Sequence, residues 1–149
     1  MHFLWAQGCL LIIKSIGEEE NGYLKGHSGK ITTIACSASG DLIASGETCA
    51  QNEQAAMIVW DFNERKMRFR VKYHTAQVQN LSFNSDESFL ISVGGPVDRN
   101  QLVCWNLQKG QSQAVQPASD VNNQETTTVR FYNHEADKFI TGHNNGVKF

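Results

Sequence analysis

Apolar and polar positions alternate along much of the chain with a period of two, the spacing that sends successive side chains to opposite faces of a strand. Residues 31–36 alternate in this way, 42–46 and 57–61 are short apolar runs, and 67–72 alternates again. Gly, Ser, Asn and Asp stand between these segments, as hairpin connections require. No long stretch carries the three-to-four-residue spacing of an amphipathic helix. Both prolines, Pro96 and Pro117, fall between predicted strands, where a missing backbone donor costs least. The pattern predicts an all-β fold of short antiparallel strands.

The four-strand pattern then recurs. Gly26-His27, the strand 31–36, the turn Ser39-Gly40-Asp41, the strand 42–46 and a strand ending in Trp60-Asp61 form one copy. Tyr73-His74, 78–83, Ser85-Asp86-Glu87, 89–94 and a strand carrying Trp105-Asn106 form the next. A third copy starts at 128–131, continues through 137–142 and reaches a turn at 144–146. His27 and His74 are 47 residues apart, and Trp60 and Trp105 are 45 apart. A period near 45 with four strands per copy matches one blade of a WD40 propeller. The chain therefore resembles the WD40-repeat family. The expectation is a partial WD40 β-propeller of about three four-stranded antiparallel blades. It divides as 1–25 (end of a first blade), 26–72 and 73–118 (blades), and 119–149 (start of a further blade). A ring of four to eight blades is what protects strand edges. This chain alone does not close one, so it is expected to be part of a longer protein or to be completed by a second chain.

Bulk properties narrow the function class. The chain has 149 residues, 40% of them hydrophobic, enough for a folded core. A net charge of −2 gives no general attraction to nucleic acid. Cys9, Cys36, Cys49 and Cys104 form no Cys-x-x-Cys pair, which points to buried thiols in a reducing compartment. The apolar start lacks a basic leader, Gln7-Gly8 interrupts it, and Lys14 ends it short of a membrane span. Two short strands, 2–6 and 9–16, account for it better, so a cytosolic or cytoskeletal protein with no membrane partner is expected.

In blades of the WD40 family a Trp indole donates to a Ser or Thr hydroxyl, the hydroxyl bonds a His, and a turn Asp orients the His. His27, Ser45 and Trp60 fit one such set. His74, Ser92 and Trp105 fit a second, with Asp98 as its acid. The first set has Gln54 where the Asp belongs, so its network is expected to be incomplete. A Ser-His-Asp triad would need an exposed nucleophile and an oxyanion hole, and no nucleophile elbow is present. The histidines lie a blade apart without a thiol pair, against a zinc site, and no phosphate-cradling Gly loop occurs. No enzyme, metal or cofactor is expected.

Function would then lie on the surface. Arg65, Lys66, Arg68, Arg70 and Lys72 make a cationic stripe along the expected outermost strand, alternating with Met67, Phe69 and Val71. Charge on an edge strand discourages pairing with other edges, and it also suits contact with an acidic partner. The connections 47–56 and 94–101 exceed a tight hairpin. The Gln-, Ser- and Asn-rich stretch 108–124 joins two blades, with room for an outer strand.

Within the WD40 family the chain resembles the ciliary WD-repeat proteins of the cilia- and flagella-associated protein 52 family. Tyr23-Leu24-Lys25-Gly26-His27, the run from Ser39 to Gly46, Ile58-Val59-Trp60-Asp61, and Ser92-Val93-Gly94-Gly95-Pro96-Val97-Asp98 followed by Val103-Cys104-Trp105 carry the likeness. The echinoderm-microtubule-associated-protein-like group is a second relative. The resemblance implies a non-enzymatic structural protein of ciliary or flagellar doublet microtubules. It implies location in the B-tubule lumen of the axoneme and binding to tubulin and other inner proteins. Asn106 departs from the family's Trp-Asp pair. The alternative is a generic WD40 adaptor, such as a ubiquitin-ligase substrate receptor.

Overall fold

The computed structural model describes residues 1–109, 111–116, 126–132, 138–143 and 146–148. The first sheet holds β1 (His2–Gln7), β2 (Leu10–Ser15) and β3 (Asn21–Lys25). The second holds β4 (Ile31–Cys36), β5 (Leu42–Glu47), β6 (Gln54–Asp61) and β7 (Lys66–Thr75). The third holds β8 (Val78–Phe83), β9 (Phe89–Gly94), β10 (Leu102–Asn106) and β11 (Gln111–Gln116). The fourth holds β12 (Thr126–Phe131), β13 (Phe139–His143) and β14 (Gly146–Lys148). Each sheet is an antiparallel meander in chain order, and a 3-10 turn, Pro96–Asp98, interrupts the β9–β10 connection. The fold is an open array of WD40-type blades.

Three apolar clusters lie between successive sheets. Leu11, Ile13 and Leu24 meet Ile43, Ile58 and Trp60 between the first and second. Ala44, Met57 and Val59 meet Leu81, Leu90 and Val103 between the second and third. Ile91, Val93 and Leu102 meet Val129 and Phe131 between the third and fourth. A strand buried on both faces reads as a continuous apolar run, and β6 is such a strand, buried from Ala55 to Trp60. Burying one such aliphatic side chain contributes about 1.5–3 kcal/mol. That contribution exists only when a neighbouring sheet is present, so each blade depends on the next.

The innermost strands are tied across sheets by side chains rather than by ladder bonds. β4, β8 and β12 share a register shift near their starts, at Ile31/Thr33, Val78/Asn80 and Thr126/Thr128. A bulge re-aims the extra residue. Thr32 Oγ1 accordingly donates to the Val78 carbonyl at 2.6 Å, and Gln79 Nε2 to the Thr127 carbonyl at 3.4 Å. The Phe131 amide donates to Ser82 Oγ at 3.1 Å.

Several elements differ from the sequence expectation. β3 was not foreseen, because only Leu24 of its five residues is buried and no alternation marks it. β7 runs on to Thr75, so His74 ends an outer strand instead of opening a loop. The β5–β6 connection shortens to 48–53, since β5 reaches Glu47 and β6 begins at Gln54. β11 lies inside the stretch 108–124, while Lys138 and Phe139 but not Asp137 fall in the described part of the last copy. Residues 117–125, Pro117 among them, and the predicted turn residues 144–145 lie outside the described residues. All four cysteines are free, but none is buried: Cys9 and Cys36 are exposed, and Cys49 and Cys104 are half-buried. Cys9 sits in the β1–β2 turn and Cys36 at the exposed end of β4, which explains the departure.

Candidate functional site

Two buried hydrogen-bond chains run through the second and third sheets. In the second, Trp60 Nε1–H donates to Ser45 Oγ at 2.8 Å, and Ser45 Oγ lies 2.6 Å from His27 Nε2. His27 Nδ1 lies 2.8 Å from Glu47 Oε2. The carboxylate keeps the ring proton on Nδ1, so Nε2 accepts and the serine donates. In the third, Trp105 Nε1–H donates to Ser92 Oγ at 2.8 Å, Ser92 Oγ lies 2.7 Å from His74 Nε2, and His74 Nδ1 lies 2.8 Å from Asp98 Oδ2. The structure thus brings together His27, Ser45 and Trp60, and His74, Ser92, Trp105 and Asp98.

The first chain has an acid, contrary to the expectation drawn from Gln54. Glu47, two residues beyond Ser45, reaches back to His27 from the same strand, while Gln54 is exposed at the start of β6. The carboxylate also accepts from the Ser28, Gly29 and Ala56 amides at 3.0, 3.1 and 3.1 Å. In the third sheet the position equivalent to Glu47 is Gly94. A Cβ there would lie 2.1 Å from an Asp98 oxygen. Glycine leaves the volume into which Asp98 reaches from the loop, so two blades fill one place by different routes. In the fourth sheet the same position is His143, bonded to Thr126 and Thr141 at 3.3 and 3.0 Å. Glu47 was missed from the sequence; an acid two residues beyond Ser45, in the strand instead of the turn, is the feature that could have pointed to it.

Electrostatics agree with a structural arrangement. Burial opposes ionisation of Glu47, but the Gly29 amide, the His27 ring and the Ala56 amide outweigh it and hold its pKa below the usual value. Burial pushes the His27 pKa down despite Glu47 beside it. Ser45 and Ser92 are fully buried, and each hydroxyl already bonds an indole and an imidazole. Neither is free to attack a substrate.

The cationic stripe is partly committed within the chain. Arg65 lies over the Phe62 ring at 4.1 Å, Lys66 pairs with Glu64 at 3.6 Å and Arg68 with Asp61 at 3.7 Å. Arg70 lies 3.8 Å from Glu47. Lys72 is exposed and makes no ion pair among the described residues. Phe69 and Val71 pack against the cluster shared with the third sheet, whereas Met67 is exposed, unlike the expected packing face. A bulge at Val59/Trp60 leaves Arg68 without a partner in β6. Charge and bulge together blunt an edge against strand addition, so a partner would meet these side chains rather than the backbone of β7.

The two longer connections fold back on the chain. Cys49 N–H donates to the Ala76 carbonyl and Ala76 N–H to the Glu53 carbonyl, which ties 48–53 to the start of the next sheet. Gly95 N–H donates to the Gln77 carbonyl, which does the same for the β9–β10 loop.

Known proteins resemble this chain in sequence and in shape. The family described as WD domain, G-beta repeat matches residues 18–61. Bovine (Bos taurus) cilia- and flagella-associated protein 52 is 31% identical over 147 residues, 99% of this chain and 23% of its own length. The Chlamydomonas reinhardtii protein of that name is 38% identical over 122 residues, 82% of this chain and 19% of its own. The chain thus spans about a quarter of the length of the curated relatives it matches, 23% in the bovine case. A chain in the crystal structure of the mitotic checkpoint complex superposes with a TM-score of 0.75 at 20% identity, covering 94% of this chain and 41% of that one. At that identity it speaks for the fold alone. With the meander sheets of the described residues in a side-by-side array and these matches, the chain carries a WD40 repeat over residues 18–61 and has the fold of a partial WD40 propeller, and among curated proteins it is similar to cilia- and flagella-associated protein 52.

Proposed function

We propose that this chain is part of a non-catalytic scaffold of ciliary or flagellar doublet microtubules, where its blades present loops and strand rims to tubulin and to neighbouring proteins of the B-tubule lumen. The observation that carries this reading is the likeness to cilia- and flagella-associated protein 52 along 99% of the chain. Geometry adds support, because the only Ser-His-acid groupings among the described residues are buried struts of the blades. Such struts rigidify a sheet stack, and rigid placement is what a scaffold needs. Lys72, the cation of the β7 stripe with no ion pair among the described residues, suits an acidic surface such as tubulin's.

Salt extraction tests the proposal. With the protein tagged at its native locus, axonemes are isolated and washed with rising salt. Retention with the doublets after the membrane and matrix fractions are gone is expected. Recovery in a soluble complex, for example with ubiquitin-ligase subunits, would favour the adaptor alternative.

A further inference from the structure

The β9–β10 loop concentrates conformational cost in one place. Arg99 and Asn100 are consecutive non-glycine residues in the left-handed region, with φ of 60° and 52°. A buried Asp98 Oδ1 and a buried Asn100 Oδ1 have no hydrogen-bond partner among the described residues. Backbone strain of this kind persists only where the surroundings over-determine it, and it gathers at ligand-contacting segments. Here the surroundings are explicit. Gly94 N–H donates to the Gln101 carbonyl, Gly95 N–H to Gln77, and the Asp98 and Asn100 amides both to the Gly95 carbonyl. The Asp98 carboxylate anchors the loop to His74, and hence to Ser92 and Trp105 inside the blade.

What this anchored loop holds outward is an apolar side chain beside a cation. Val97 is 53% exposed at the tip, and Arg99 is exposed and makes no ion pair among the described residues. The strained residue at Ala76 offers a contrast: it is buried and holds no side chain out to solvent. A fixed loop loses little entropy on binding, arginine is among the side chains enriched at interface centres, and an apolar side chain beside it adds an anchor that a pocket can seat. The geometry points to the Pro96–Asp98 turn and Arg99 as a preformed docking knob. It fits an acidic protein surface that offers a shallow apolar pocket to Val97 and a carboxylate to Arg99. The proposal rests on the doublet-microtubule reading above and names the contact within it.

The test exploits the strain. Asparagine tolerates the left-handed region better than arginine, so Arg99→Asn is expected to leave the melting temperature unchanged or raised. The same substitution removes the cation. Cells carrying Arg99→Asn together with Val97→Asp at the native locus are compared with wild type in the salt series on isolated doublets. A melting curve of each purified full-length protein reports folding. Wild-type retention with about tenfold less retention of the folded double variant, the scale of losing an interface centre, is expected. Equal retention of the two overturns the knob while leaving the doublet reading intact. Loss of wild type and variant alike overturns the doublet reading, and the knob with it. A variant that melts well below wild type is replaced by Val97→Ala with Arg99→Gly, read by the same criteria.

Discussion

At the scale of single residues, the acid of each blade chain decides how a histidine, a serine and a tryptophan are held. Trp60→Phe removes the donor to Ser45 and, because phenylalanine lacks the indole's second ring, leaves a small cavity at a buried site. Leaving a buried hydroxyl short of one partner costs about 1–3 kcal/mol, the cavity adds to it, and urea unfolding is expected to show a loss at the top of that range or above. Trp5→Phe, at a half-exposed ring with no such bond, is expected to fall within about 0.5 kcal/mol. Gly94→Ala is expected to destabilise more than either, because its Cβ displaces Asp98 from His74. Asp98→Gly in the same chain should relieve that clash, so the double substitution costs less than the sum of the singles, a coupling that neighbouring residues show. The histidines, serines and tryptophans were legible from their spacing. Glu47 was not, because the pattern sought an aspartate in the turn and the blade supplies a glutamate from the strand itself. Asp98 was legible because its loop carries it beyond a Gly-Gly-Pro sequence.

Elements were legible in proportion to their burial. β4, β8 and β9 alternate or run apolar because a neighbouring sheet covers them. β3 escaped notice because four of its five residues face solvent, and its pairing with β2 needs only backbone. β7 was found, but its role was only half legible. Alternation separated the packing residues from the charges, yet periodicity carries no sign that Arg68 sits at a bulge or that Arg70 reaches Glu47. The packing half is expected to dominate stability. Phe69→Ala opens space against the third sheet and should cost about 2–3 kcal/mol, toward the low end for a partly buried phenylalanine. Lys66→Ala should change stability by less than about 0.5 kcal/mol. Thermal or denaturant melts of the two variants separate these outcomes; equal effects would mean β7 is held by its charges.

Across the whole molecule, stability is expected to fall in acid in two steps. His27 is held neutral by burial, so below its ordinary value of 6.5 the unfolded chain takes up a proton that the folded one resists. Its contribution is complete above that value and drains as pH falls beneath it. Glu47 is held ionised, so its contribution is present above its ordinary 4.5 and drains as pH falls through that region. Melting temperatures across this range should decline below pH 6.5 and again below 4.5, with His27→Gln flattening the upper step. A flat profile would mean that the buried chain contributes nothing to folding. The repeat itself was the most legible feature, since side-by-side sheets need the same apolar positions every 45 residues or so. The partner surfaces were the least legible, because exposed side chains answer to molecules that the chain does not contain. The most direct measurement is a density map of native doublet microtubules at side-chain resolution. Four sheets fanned about one axis, with β4, β8 and β12 innermost and the β9–β10 loop against tubulin, are the expected result. Strands of successive repeats joined edge to edge in one continuous sheet, or no density for this chain on the doublets, would contradict it.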